Sequence, residues 1–232
     1  MNVLAFDTSM AACSAAVSLS EGGKPGFHHA WEARERGHAE ALVPMIMAVM
    51  GEAEIGFDAL DRLAVTTGPG SFSGVRIGVA TARGLALASG LPLVGINTLE
   101  LMAHNAAARG AFEQAEILAI AQDARRGQVY FALFDHHKAP LSEPMLLDIE
   151  DALAMVPHAQ AVVAGSGGRL LEAAAREADR EIKALLPDLL PDARELAVMA
   201  QTRPVAGEPV RPLYLRPPDA KPQRDQMLAR QP

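Results

Sequence analysis

LAVTTGPGSFSGVRIGVATARGLALAS, Leu63 to Ser89, is the stretch from which the rest of the chain is read. Leu63–Thr67 is a short apolar run with β-branched residues, the signature of a buried strand. Gly68-Pro69-Gly70 interrupts it. From Val75 to Ser89 apolar and small residues recur at helical spacing, which predicts a helix. The turn between them has two readings. Glycine permits positive φ and close backbone approach. With Ser73 or Gly74 as N-cap, free N–H groups at the positive helix end can hold an anion. The same glycines equally suit a tight turn that packs closely and binds nothing. The Walker A pattern is not matched, because no Gly-Lys-Ser/Thr closes the loop.

Working outward, three strands precede this unit: Val3–Phe6, Cys13–Leu19, which ends at the turn signal Glu21-Gly22-Gly23, and a weaker one at Phe27–Trp31. A helix over Ala39–Ala53 leads into Leu63. After Ser89 come a strand at Leu93–Ile96 and a helix at Leu99–Ala108. The order then restarts. Strands are expected at Ile117–Gln122, Gln128–Phe134 and Pro144–Leu147, then a short helix at Glu150–Met155. A strand at Ala161–Ala164 meets Gly165-Ser166-Gly167-Gly168, a helix follows at Leu170–Ala178, and a last helix covers Ala193–Gln201. The order βββαβα therefore occurs twice, the second time in shorter elements. Hairpin-linked trios followed by βα crossovers give an α/β architecture of mixed sheets with helices on their faces. The expected units are residues 1–110, residues 111–216 and a Pro-rich tail, 217–232, with the boundary between Ala108 and Glu116.

The helix before the glycine turn carries more apolar surface than one sheet face needs. Leu42, Met45, Ile46, Val49 and Ala53 form one strip of the earlier helix; Val43, Met47 and Met50 form a second. Methionine suits adaptable surfaces, so the second strip is either more core or a partner surface. The later helix has small residues at four-residue spacing, Gly78, Ala82 and Ala86, which lets another helix approach closely.

Composition bounds the function. The chain has 232 residues, 50% hydrophobic and 21% charged, in the range of an ordinary globular protein. Its formal net charge of −7 is the wrong sign for gripping nucleic acid unaided. No run of apolar residues reaches membrane-spanning length, and MNVLAFDTS lacks the form of a signal peptide, so a cytoplasmic location is expected. The single cysteine, Cys13, lies in an apolar alternating run and reads as a core thiol.

Four stretches resemble the TsaB (YeaZ) family in order along nearly the whole chain: DTS at Asp7–Ser9, GPGSFSGVR at Gly68–Arg76, DARRGQVY at Asp123–Tyr130 and PLYLR at Pro212–Arg216. The resemblance implies an actin/hexokinase/Hsp70-like (ASKHA) fold, in keeping with the doubled element order. It implies a non-catalytic subunit required for threonylcarbamoylation of adenosine 37 (t6A) in tRNAs reading codons that begin with A. That subunit pairs with a larger TsaD-type transferase and is joined by a TsaE-type ATPase. It reaches tRNA only through the complex and forms a homodimer when alone. The family's pairing surface lies on the N-terminal helices, which here places Leu42, Val43, Met47, Met50, Arg76, Gly78, Ala82 and Ala86 at a partner interface.

Catalytic relatives bind a metal through H-x-x-x-H; His38 matches the first position but Leu42 occupies the second, so no metal site is expected. A free-standing ATP-dependent phosphotransferase of the same fold is the alternative function. It would use Asp7, Thr8, Ser9, Gly70, Ser71 and Gly74 around phosphate and Asp123 in a second turn, with Gly165–Gly168 as a remnant of an adenosine turn. No firmly bound cofactor is expected, and ATP or ADP would sit at the interface with partners. A serine peptidase is not expected, because GPGSFSG is not a G-x-S-x-G elbow.

Overall fold

The computed structural model describes residues 1–21, 24–113, 115–158 and 161–216. The expected tail, 217–232, and the glycines of the Glu21-Gly22-Gly23 turn lie outside the described residues. Among those described, two five-stranded mixed sheets are each flanked by helices.

The first sheet has the order β3-β2-β1-β4-β5, built from β1 Val3–Asp7, β2 Ala12–Glu21, β3 Lys24–Ala33, β4 Arg62–Thr66 and β5 Leu93–Ile96. β1 is buried at every position, as a central strand covered on both faces must be. It pairs antiparallel with β2 and parallel with β4. β3 is longer than the Phe27–Trp31 strand expected. Pro25 and Gly26 read as breakers, yet β3 runs along the sheet edge, where proline is tolerated, and pairs with β2 through its whole length.

The second sheet, β10-β9-β6-β7-β8, repeats the first order read from its other end. Its strands are β6 Ile117–Arg125, β7 Gln128–Asp135, β8 Met145–Asp148, β9 Ala161–Ala164 and β10 Lys183–Leu185. β10 was not expected: three residues give no alternation to read. With it each half reads βββαβαβα.

Among the described residues the α-helices are α1 His38–Glu52, α2 Phe72–Ser89, α3 Thr98–Ala107, α4 Ile149–Met155, α5 Gly168–Glu177 and α6 Ala193–Thr202. α1 and α2 cover one face of the first sheet, where Leu42, Ile46, Val49, Val75, Val79 and Ala82 close on Leu4, Phe6, Leu63 and Val65. Its other face is closed by α6, from the far end of the chain: Leu196, Ala197 and Ala200 pack on Val3, Ala5, Ala64 and Val94. Conversely α3 lays Met102, Ala103 and Ala106 against Leu118, Ile120, Ala132 and Phe134 of the second sheet. Each half lends a helix to the other, and the two sheets form lobes joined at α3 and α6.

Arg62 anchors the borrowed helix, its Nη1 donating to the Ala200 and Arg203 carbonyls at 2.6 and 2.7 Å. Cys13 is fully buried, and burial pushes its thiol up to about 11, as suits an inert core residue. No described helix is long and apolar enough to cross a membrane.

Candidate functional site

α2 begins three residues earlier than the sequence suggested. Ser71, not Ser73 or Gly74, is the N-cap, its Oγ accepting from Gly74 N–H at 3.1 Å. The glycines of this turn are explained by what presses on them. A methyl group on Gly70 would come within 2.9 Å of the Ser9 carbonyl carbon. One on Gly74 would overlap the Thr8 carbonyl oxygen, and one on Gly78 would lie 2.8 Å from Thr8 Oγ1. The turn is wedged against the end of β1. Its polar groups are spent on that wedge: Ser71 N–H donates to Ser9 O at 2.7 Å, and Thr8 Oγ1 donates to Gly74 O at 2.7 Å.

Asp7 is buried completely. Its Oδ1 accepts from Ser9 N–H, Ser9 Oγ and Thr66 Oγ1, while Oδ2 has no partner. Burial raises its pKa, against the lowering effect of those donors. The structure thus gathers Asp7, Thr8, Ser9, Gly70, Ser71 and Gly74 into one place. The hydroxyls of Thr8, Ser9 and Ser71 are engaged with the chain itself.

In the second lobe Asp123 is likewise turned on its own loop. Its Oδ1 accepts from Arg125 N–H at 2.7 Å, and Arg125 Nη1 lies 3.6 Å from Oδ2. Gln122 fills the glycine turn opposite: Ser166 Oγ donates to its Oε1 at 2.6 Å, and its Nε2 donates to Leu189 O at 3.0 Å. Gly165 and Gly167 both press on Ala121 of β6.

Between the lobes is a cleft of about 1080 Å³, bordered by Glu35, His38, the glycine turn, Arg76, Asp123 and Arg125. His38 opens α1 with Nε2 2.9 Å from Met10 O. The position that would supply a second metal ligand, Leu42, is in the core. Across the cleft runs the segment Val210–Arg216. Tyr214 packs on Phe72, ring centroids 5.1 Å apart, and Arg76 stacks on Phe72 at 4.3 Å.

The helix faces differ from those expected. Leu42, Met50, Gly78 and Ala82 were placed at an interface, and all four are buried within the chain. Met50 is one turn on from Ile46, so it shares the inward face rather than the outer strip. Gly78 and Ala82 face the sheet, where the missing side chain of Gly78 admits Thr8 and Val65. Ala86 is partly buried against the same core. Val43 and Met47 are 52% and 57% exposed on α1, and Arg76 is exposed on α2. Two further large side chains stand on α2 that were not singled out: Phe72, 45% exposed, and Leu87, 88% exposed. Leu87 could have been found as a leucine out of step with the Val75-Val79-Ala82 face.

The chain is similar to known proteins over most of its length. A family model described as TsaD, tRNA N6-adenosine threonylcarbamoyltransferase, matches residues 32–183. The tRNA threonylcarbamoyladenosine biosynthesis protein TsaB of Escherichia coli strain K12 is 32% identical over 228 residues, covering 93% of this chain and 95% of that protein. A Pseudomonas aeruginosa crystal structure, described as an uncharacterized protein with similarity to peptidase YEAZ, superposes with a TM-score of 0.77. It is 31% identical and covers 93% of this chain and 99% of that one. A shorter stretch of 69 residues is 49% identical to the tRNA N6-adenosine threonylcarbamoyltransferase of Novosphingobium aromaticivorans, covering 30% of this chain and 20% of that enzyme.

Proposed function

Because this chain belongs to the TsaB family of tRNA threonylcarbamoyladenosine biosynthesis proteins, we propose that it serves t6A formation as a non-catalytic subunit that docks a TsaD-type transferase. The observation that carries this reading is the outer face of α1 and α2. Val43, Met47, Phe72 and Leu87 stand exposed there, while the small residues Ala48, Ala80 and Gly84 beside them would let a partner helix come close. Apolar side chains concentrated on two neighbouring helices suit a partner surface. The same face would pair two copies when the transferase subunit is absent. A TsaE-type ATPase would join at the assembled pair, tRNA would be held through the complex, and the whole would work in the cytoplasm.

The phosphotransferase reading is disfavoured by the engagement of Thr8, Ser9 and Ser71 with the chain's own backbone and side chains. Asp7 is sealed beneath them. Any ATP or ADP would be held jointly with partners.

The test is reconstitution of tRNA threonylcarbamoylation with a TsaD-type transferase, with and without this chain, alongside titration of the two subunits. Met47→Asp places a charge among the exposed apolar side chains of α1 and should weaken pairing by about thirtyfold or more, a hot-spot loss. Undiminished pairing would remove the face from the interface. Turnover of ATP by the isolated chain would favour the phosphotransferase instead.

A further inference from the structure

Three of the four stretches that carry the family resemblance meet at one place the sequence does not connect. Leu213 N–H donates to Thr67 O at 2.7 Å, at the end of β4. Gly68, at φ +102°, lies so close beneath this segment that a methyl group on it would be 2.7 Å from the Leu213 carbonyl oxygen. Val210 similarly presses on Gly95 at β5, where a methyl group would lie 2.9 Å from its Cγ1. The first glycine of GPGSFSGVR is therefore explained by PLYLR passing over it. At its other end PLYLR reaches the second lobe. Arg216 Nη1 donates to Ala124 O at 2.7 Å, and Nη2 donates to Arg125 O at 3.4 Å and to Gln128 Oε1 at 2.7 Å. These acceptors belong to the DARRGQVY hairpin, whose Arg125 and Arg126 both adopt positive φ, +65° and +60°. Such conformations persist only where surroundings over-determine them.

We infer that Val210–Arg216 is a clasp that closes the mouth of the cleft, holding the β4 end of the first lobe to the β6–β7 hairpin of the second, with Arg216 as its positioning residue. The lobes are already joined at the base by the exchanged helices α3 and α6. A joint on one side leaves freedom to hinge. A strap along the cleft removes it: at one end a guanidinium makes two short charge-assisted bonds, to Ala124 O and Gln128 Oε1, and a longer one to Arg125 O, and at the other end a backbone bond holds Leu213. Because the strap also packs Tyr214 on Phe72 at the start of α2, lobe angle and the α2 surface are fixed by one segment.

The test cuts the strap at each end separately. Spin labels on cysteines replacing the exposed Ala88 of α2 and Ala173 of α5, with Cys13→Ala, report the distance between lobes. The unaltered strap should give a narrow distribution. Arg216→Ala frees the second-lobe end, and Leu213→Pro removes the N–H that holds the first-lobe end. Both should widen the distribution to a similar extent, and in Arg216→Ala the Leu213 amide should exchange about tenfold faster or more. If either variant keeps the narrow distribution, the strap is a passenger on lobes fixed by α3 and α6, and the inference fails. Should Arg216→Ala not fold, a narrow distribution in Leu213→Pro overturns it alone.

Discussion

The same substitution at two glycines of α2 should have opposite effects. Gly84 lies on the exposed side of the helix interior, with nothing within 4 Å of the position a methyl group would take. Alanine there loses less backbone freedom on folding, so Gly84→Ala should stabilise the chain by about 1 kcal/mol. For a chain of this size that raises Tm by about 2–4 °C. At Gly74 the methyl group meets the Thr8 carbonyl and comes within 2.5 Å of Ser71 Oγ. The first obstacle is backbone of a fully buried strand end, and the second is the helix cap itself. Neither can swing aside, so the cost should fall at the upper end of overpacking, about 2–3 kcal/mol. The helical gain is small in the first turn. Urea unfolding of both variants, with m unchanged, reads the difference directly as a shift of midpoint. A Gly74→Ala protein as stable as the parent would refute the wedged turn and return these glycines to the anion-binding reading.

Further outcomes follow from buried polar groups. Asp7→Asn keeps an acceptor for Ser9 and Thr66 and removes a carboxylate whose pKa burial raises. The folded state binds that proton more tightly than the unfolded state does, so the carboxylate costs stability as pH rises above 3.8. Asp7→Asn should therefore be at least as stable at pH 7, whereas Asp7→Ala, which strands two hydroxyls, should lose about 1–3 kcal/mol in denaturant titration. His104 has its pKa lowered to about 4, by burial and then by the nearby Lys138 and Arg203. The unfolded state takes up its proton first, so this group's contribution is complete above pH 6.5 and is lost as pH falls toward 4; His104→Gln should flatten the Tm–pH curve over that window. Arg62→Ala should release the end of α6 and cost about 2 kcal/mol, with exchange of the α6 amides faster than those of α1.

Much of the fold is written locally. The strands at Leu93–Ile96 and Ala161–Ala164 appear with the expected bounds, because each is an apolar run closed by turn residues. The start of α2 was misplaced because Phe72-Ser73-Gly74 reads as loop, and only the Ser9 contact shows that Ser71 ends the turn. The position of α6 was illegible for a deeper reason. Its apolar face fits either sheet, and nothing in ten residues states which. At the surface, spacing separated Val43 and Met47 from the core strip but misassigned Met50, since a helical wheel does not say how wide the covered arc is. The strap was legible only as a short motif. Its purpose lies in carbonyls at Thr67, Ala124 and Arg125, which carry no letter of their own.

The exchange of α3 and α6 has a consequence for how the chain comes into being. On the ribosome, β1, β4 and β5 emerge long before Ala193–Thr202, the helix that roofs Val3, Ala5, Ala64, Val94 and Ile96. At ordinary translation speeds that greasy floor waits about 5–20 s for its cover. A nascent chain stalled near Gly110 should thus be a chaperone client, and the N-terminal half made alone should aggregate, however well its five strands pair.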